Sequence, residues 1–253
     1  MIKHGLIYVI LCFAVVISEF VPNRYDSFKV FRVRVPNEAS ANVIMEDLQY
    51  HVDIWSEPRI GHHSDLMVSP TNLKAVVKKL KETSLEYSVM IDNVQTLLDR
   101  EKGNVNKNSV DLRSNNIGHP MTWNNYHSLN DMDLYMDYLV KQFPNVVSIE
   151  NIGTSYEGRK MKVLKICQDG VCGKNPGIFI NGGIHAREWI GPSTVTFIIK
   201  ELLENDHKYP TEILDKLDWY ILPVLNPDGY EYSRTFDRMW RKNRYTVSIN
   251  KKA

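Results

Sequence analysis

The chain carries only three cysteines, a formal net charge of +1 and no apolar run long enough to cross a bilayer. Each scarcity excludes something. Three cysteines cannot build a four-thiolate structural zinc site. A near-neutral balance gives no electrostatic reason to expect nucleic acid or an anionic membrane as partner. The longest apolar run, Leu6–Ile17, follows Lys3 and His4 and falls well short of the roughly 20 residues a spanning helix needs. With Val16 and Ser18 at small-residue positions, it reads as a secretory signal peptide over residues 1–18, which predicts a secreted, extracellular product. Cleavage would remove Cys12 and leave Cys167 and Cys172. The Gln168-Asp-Gly-Val171 segment between them is turn-forming, export permits oxidation, and the pair is expected to form a disulfide.

What is present divides into two blocks and a connector. Phe28-Lys-Val-Phe-Arg-Val-Arg-Val35 alternates apolar and basic residues, the period of a half-buried strand. Ala41, Ile44, Met45 and Leu48 fall at helical spacing behind Asn37, a candidate cap. Short strands follow at Val52–Trp55 and Asp65–Val68. Ser69-Pro70 opens a second helix with Leu73, Val76, Val77 and Leu80 on its face, and Tyr87–Ile91 is a fourth strand. The order βαββαβ predicts a ferredoxin-like α+β domain over residues 19–93. Residues 94–116 are polar, with Gly103-Asn104 and exposed basic positions at Arg100, Lys102, Lys107 and Arg113, and read as a connecting segment open to proteolysis.

From residue 117 to 253 strands alternate with long helices, the pattern of an α/β layer with some parallel pairing. Ser128-Leu-Asn-Asp131 resembles a capping box, and its helix should stop at Pro144. Strands are expected at Val146–Ile152, Met161–Cys167, Gly177–Asn181 and Trp219–Leu225, with a helix at Pro192–Asn205. Asn226-Pro-Asp-Gly-Tyr230 reads as a turn.

The chemistry concentrates in Ile180-Asn-Gly-Gly-Ile-His-Ala-Arg-Glu-Trp-Ile-Gly-Pro192. Two glycines end a buried strand, and His185 and Glu188 follow three residues apart. Ligands in α/β sheets gather at carboxyl ends of strands, and an imidazole with a carboxylate suits zinc. A metal-free hydrogen-bonded pair is the alternative. Spacing supplies no third ligand. His62 and His63 belong to the first block, and His119 and His127 lack ligand spacing. His207, Glu201 and Glu204 lie at the far end of a helix that carries the chain about 21 Å away.

This stretch, together with Leu222-Pro-Val-Leu-Asn-Pro-Asp-Gly-Tyr230 and Arg238-Met-Trp-Arg-Lys242, resembles the zinc metallocarboxypeptidases of the pancreatic A/B type. Ser155-Tyr-Glu-Gly-Arg159 looks like part of the same catalytic domain, and the βαββαβ block looks like the family's activation segment. The resemblance implies a precursor: a ferredoxin-like activation domain, then an incomplete α/β/α mixed-sheet zinc-peptidase domain. It implies Zn2+ as cofactor, peptide or protein carboxyl termini as substrate, and a trypsin-like protease as activator, with Arg113 the favoured cleavage point. His185 and Glu188 match the first two zinc ligands. Arg241 matches the arginine that polarises the scissile carbonyl and holds the oxyanion. Arg187 and Arg238 match arginines of the substrate groove, although surface ion pairing would equally explain Arg238. After Arg244 the resemblance stops. The family's third ligand, its carboxylate clamp, its specificity residue and its general-base Glu have no counterpart. The chain is therefore expected to be carboxyl-terminally truncated and inactive by itself. A non-catalytic secreted product, binding or inhibiting through the activation-segment fold, is the alternative.

Overall fold

Alternation along the first strand distributes its side chains to two different cores. In β1 (Lys29–Arg34), Phe31 and Val33 join one apolar cluster while Val30 joins another on the opposite face. Arg32 and Arg34 stay exposed and pair across the ladder with Asp65 and Glu86. The computed structural model describes residues 21–111, 118–204 and 216–246. The signal-peptide segment, Arg113 and His207 lie outside the described residues.

The first block runs β1, helix α1 (Glu38–Asn42) continuing as a π-helical turn over Val43–Leu48, β2 (Val52–Ile54), β3 (His63–Val68), α2 (Leu73–Glu82) and β4 (Tyr87–Ile91). Its antiparallel sheet has the order β2-β3-β1-β4, the ferredoxin-like arrangement expected from the element order. Asn37 caps α1, its side chain accepting from the Ser40 N–H. Ile44, Leu48, Val76 and Leu80 press against Phe31, Leu66 and Val68. At roughly 1.5–3 kcal/mol for each fully buried large apolar side chain, this cluster is the block's main source of stability. The second helix differs from expectation. It begins at Leu73 rather than at Pro70, because Ser69–Asn72 forms a hydrogen-bonded turn first.

The connecting segment also differs. α3 (Val94–Asp111) continues helically through Gly103-Asn104. Its first half is docked: Val94 and Leu98 join the second apolar cluster, Gln95 bonds Asp99, and Glu101 reaches Arg238. Tertiary anchoring of the opening turns outweighs the poor helix propensity of Gly and Asn.

The second block comprises α4 (Leu129–Gln142), β5 (Val147–Thr154), β6 (Lys160–Ile166), β7 (Gly177–Asn181), α5 (Ile190–Leu203), β8 (Asp218–Leu222) and α6 (Pro227–Thr235). Its sheet is mixed, with the order β5-β6-β8-β7 and a parallel β7–β8 pair. Ser128 and Asp131 form a reciprocal capping box at the start of α4, and the helix ends two residues before Pro144. Met132, Met136, Leu139, Val195 and Ile199 from α4 and α5 cover Leu164, Ile166 and Ile221 on one face of the sheet. Cys167 and Cys172 are joined as a disulfide, Cα–Cα 5.2 Å. Asn226–Tyr230 is a helix start rather than a free turn: Asn226 caps α6 by accepting from the Gly229 N–H, and Pro227 takes the first helical position.

Candidate metal centre

The site is built where β7 ends. Gly182 lies so close to the chain after β8 that a Cβ would sit 2.7 Å from the Pro223 carbonyl oxygen, and Gly183 adopts φ +62°. No other residue type fits both requirements cheaply. The Gly182 and Gly183 carbonyls accept from Leu225 and Asn226, so the turn is strapped to the strand beside it. Asn226 extends the same scaffold, its Nδ2 donating to the carbonyls of Ile184 and Lys242. The Ala186 N–H donates to the Arg241 carbonyl at 3.0 Å. Backbone bonds thus bring three sequence-distant pieces, the His185 loop, the Asn226 cap and the Arg241 turn, to one place.

His185 and Glu188 face each other there, Nδ1 to Oε1 3.0 Å. Two donors on one tetrahedral zinc at about 2.0–2.2 Å would stand roughly 3.3–3.6 Å apart, so the residue types and proximity suit a shared divalent ion, and the 3.0 Å contact equally satisfies a metal-free hydrogen-bonded pair. Arg241 completes the group, with Nη2 3.3 Å from His185 Nδ1 and Nε 4.0 Å from Glu188 Oε1. Nδ1 has one site to offer: it donates to the carboxylate or accepts from the guanidinium, not both. All three side chains remain substantially exposed. Among the described residues no third His, Cys, Asp or Glu converges with them. Glu204 is elsewhere, half-buried just past the end of α5 with His119 Nε2 3.8 Å away. Burial raises the Glu204 carboxyl and lowers the His119 imidazole.

The first block lies over this centre. Asp53, at the middle of β2, pairs with Arg187 through both carboxylate oxygens and also accepts from the Trp55 indole N–H at 3.1 Å. Glu101 of α3 binds Arg238 bidentately, Oε2 to Nε 2.6 Å and Oε1 to Nη2 3.0 Å. Arg238 also lies over the Trp189 ring at 3.6 Å and donates to the Arg187 carbonyl. A cavity of about 460 Å³ remains, lined by Ile54, Trp55 and Glu57 of the first block and by Arg187, Glu188 and Arg241 of the second. The five second-block residues singled out from the sequence, His185, Arg187, Glu188, Arg238 and Arg241, lie in this neighbourhood. The sequence reading missed Asp53, Glu101 and Trp189. The two carboxylates are separated from their arginines by 134 and 137 positions, so no local pattern announces them. Trp189 stood within the motif but was given no role there.

Residues 132–250 match the family model for zinc carboxypeptidase, and residues 31–101 match that for the carboxypeptidase activation peptide. Carboxypeptidase B of Helicoverpa zea is 34% identical over 224 residues, covering 88% of this chain and 52% of that protein. Carboxypeptidase B of Astacus astacus is 48% identical over 124 residues, 49% of this chain and 40% of the relative. The crystal structure of carboxypeptidase A from Helicoverpa armigera superposes with a TM-score of 0.80 at 29% identity, covering 89% of this chain and 55% of that one. The chain spans about half the length of the curated relatives it matches. With an activation-peptide fold lying over the His185–Glu188 pair and both family models matched in order, the chain belongs to the zinc carboxypeptidases of the pancreatic A/B type.

Proposed function

We propose that this chain carries the activation segment and part of the catalytic machinery of a secreted metallocarboxypeptidase precursor, which hydrolyses carboxyl-terminal peptide bonds. The observation that carries the reading is the convergence of His185 Nδ1 on Glu188 Oε1 at 3.0 Å beside Arg241. Zinc, held by His185 and Glu188, would supply Lewis acidity and an acidified water. The chain's own contribution is positional. Arg241, always charged and planar, aims donors at the place where a carbonyl oxygen becomes negative. Arg187 and Arg238 line the approach, and Asp53 and Glu101 occupy them while the activation segment is in place. Cleavage by a trypsin-like protease at Arg113 would separate the two blocks, and residues 1–18 would direct export.

No third ligand converges among the described residues, so this chain alone binds zinc weakly and turns over no substrate. The catalytic reading is tested in a chimera in which residues 118–246 replace the matching half of the Astacus astacus enzyme. The expected result is release of carboxyl-terminal residues from peptides with a free carboxylate but not from their amides, abolished by His185→Ala. A folded, zinc-loaded chimera without activity would overturn the reading. One observation favours a second function. The principal core of the first block closes on its own residues, as an independent inhibitory product would require. Added activation segment that leaves an active relative's turnover unchanged at high excess argues against it.

A further inference from the structure

The first described residues of the chain form a strap that ends on the turn bearing Arg238 and Arg241. Asn23 donates its backbone N–H to the Phe236 carbonyl at 2.8 Å and its side-chain Nδ2 to Asp237 Oδ2 at 2.9 Å. The Tyr25 hydroxyl donates to Asp237 Oδ1 at 2.6 Å. Asp237 is 7% exposed, and within its own block its carboxylate accepts one further bond, from the Met239 N–H at 3.1 Å. The Trp240 N–H closes the same turn on the Asp237 carbonyl at 2.9 Å. Met239, between the two arginines, packs into the first block's second cluster with Tyr25, Phe28, Val30 and Met67. Tyr25 is itself fixed by bonds in both directions with Gln95 at the start of α3.

We propose that Asn23 and Tyr25 are a latch on Asp237, and that the activation segment, together with the catalytic block's own bonds to Arg238 and Arg241, holds the Asp237–Arg241 turn in its present geometry. Departure of the strap takes two of three donors from a nearly buried carboxylate. Such a group is costly to leave under-satisfied, so the turn loosens or admits water, and the freedom of Arg238 and Arg241 rises with it. The activation segment therefore does more than cover the centre: it tightens the turn that carries the two arginines beneath it. Asp237 is a positioning residue, acting through the turn. The inference needs neither bound zinc nor turnover, and its failure would leave the carboxypeptidase reading intact.

Hydrogen–deuterium exchange on the full chain tests it. Tyr25→Phe removes only the hydroxyl and leaves the ring on Phe28, 4.9 Å between centroids. Bonds to charged groups contribute about 1.5–3 kcal/mol, or roughly ten- to hundredfold in an opening equilibrium. The Met239 and Trp240 amides should exchange faster by about that factor, while β1, β3 and α4 are unchanged. Asp237→Asn should in turn speed exchange at the Asn23 amide, and the double variant should show less than the product of the two single effects. Unaltered exchange at Met239 and Trp240 in Tyr25→Phe, or fully multiplicative effects in the double variant, would overturn the proposal.

Discussion

The two sheets are finished differently. The first-block sheet is covered on both faces: α1 and α2 close one, while α3, Tyr25, Phe28 and Met239 of the second block close the other. The second-block sheet has α4 and α5 on one face, and at its edge β7 leaves Phe179 56% exposed. One block thus holds a core it completes alone and a smaller one completed by its neighbour. The other completes its core from one side. Coupling between the blocks is correspondingly polar and local, passing through Arg187, Arg238 and Asp237 rather than through a broad apolar seam.

That contrast is broken most directly in the cores. Leu66→Ala in the first block and Leu164→Ala in the second each remove a fully buried side chain, with an expected cost of about 2–5 kcal/mol. Each should shift its own transition in urea unfolding followed by circular dichroism, leaving the other within about 0.5 kcal/mol. A single transition shifted by both would mean that the blocks unfold as one unit. The coupling is sharpened by Asp53→Ala, which strips Arg187 of its carboxylate. A charge-assisted pair of this kind should contribute about 1.5–3 kcal/mol, read as the interaction energy in a cycle with Arg187→Ala. An interaction energy near zero would make the Asp53 contact incidental.

A smaller effect is confined to the second block. Ser128→Ala should cost about 1 kcal/mol by removing half of the α4 capping box. Burial acts to raise the Asp131 carboxyl, but the His127 imidazole, Nδ1 3.7 Å away, and the Ser128 N–H bond outweigh it and hold it at about 2. The folded state therefore favours the ionised carboxylate, and acidification protonates the unfolded chain first. The stabilisation is complete above about pH 4 and is lost as pH falls toward 2. Asp131→Asn should flatten the acid limb of the second block's stability profile in that window. An unchanged limb would show that the carboxylate's bonds do not persist in solution.

The sequence exposed what is local and periodic. Period-two and helical spacing marked the strands and helices because each element buries one face, and the cap at Ser128 was legible because its partner stands three residues away. Extents were less so. α3 runs on through Gly103 because Glu101 and Leu98 are anchored by tertiary contacts, and Asn226–Tyr230 became a helix start because Asn226 has Gly229 and the Ile184 and Lys242 carbonyls to bind. His185 and Glu188 were legible through the two glycines that force the bend. The partners that occupy the arginines were not, since Asp53, Glu101 and Tyr25 carry no pattern of their own and gain meaning only when two blocks meet.

The central claim, that His185 and Glu188 act together on one divalent ion, is tested most directly by zinc titration of the full chain in a calorimeter. The account predicts one weak site, with affinity lowered at least tenfold by His185→Ala and to a similar degree by Glu188→Gln. Zinc bound equally well by the parent chain and by both variants would place the ion elsewhere and contradict it.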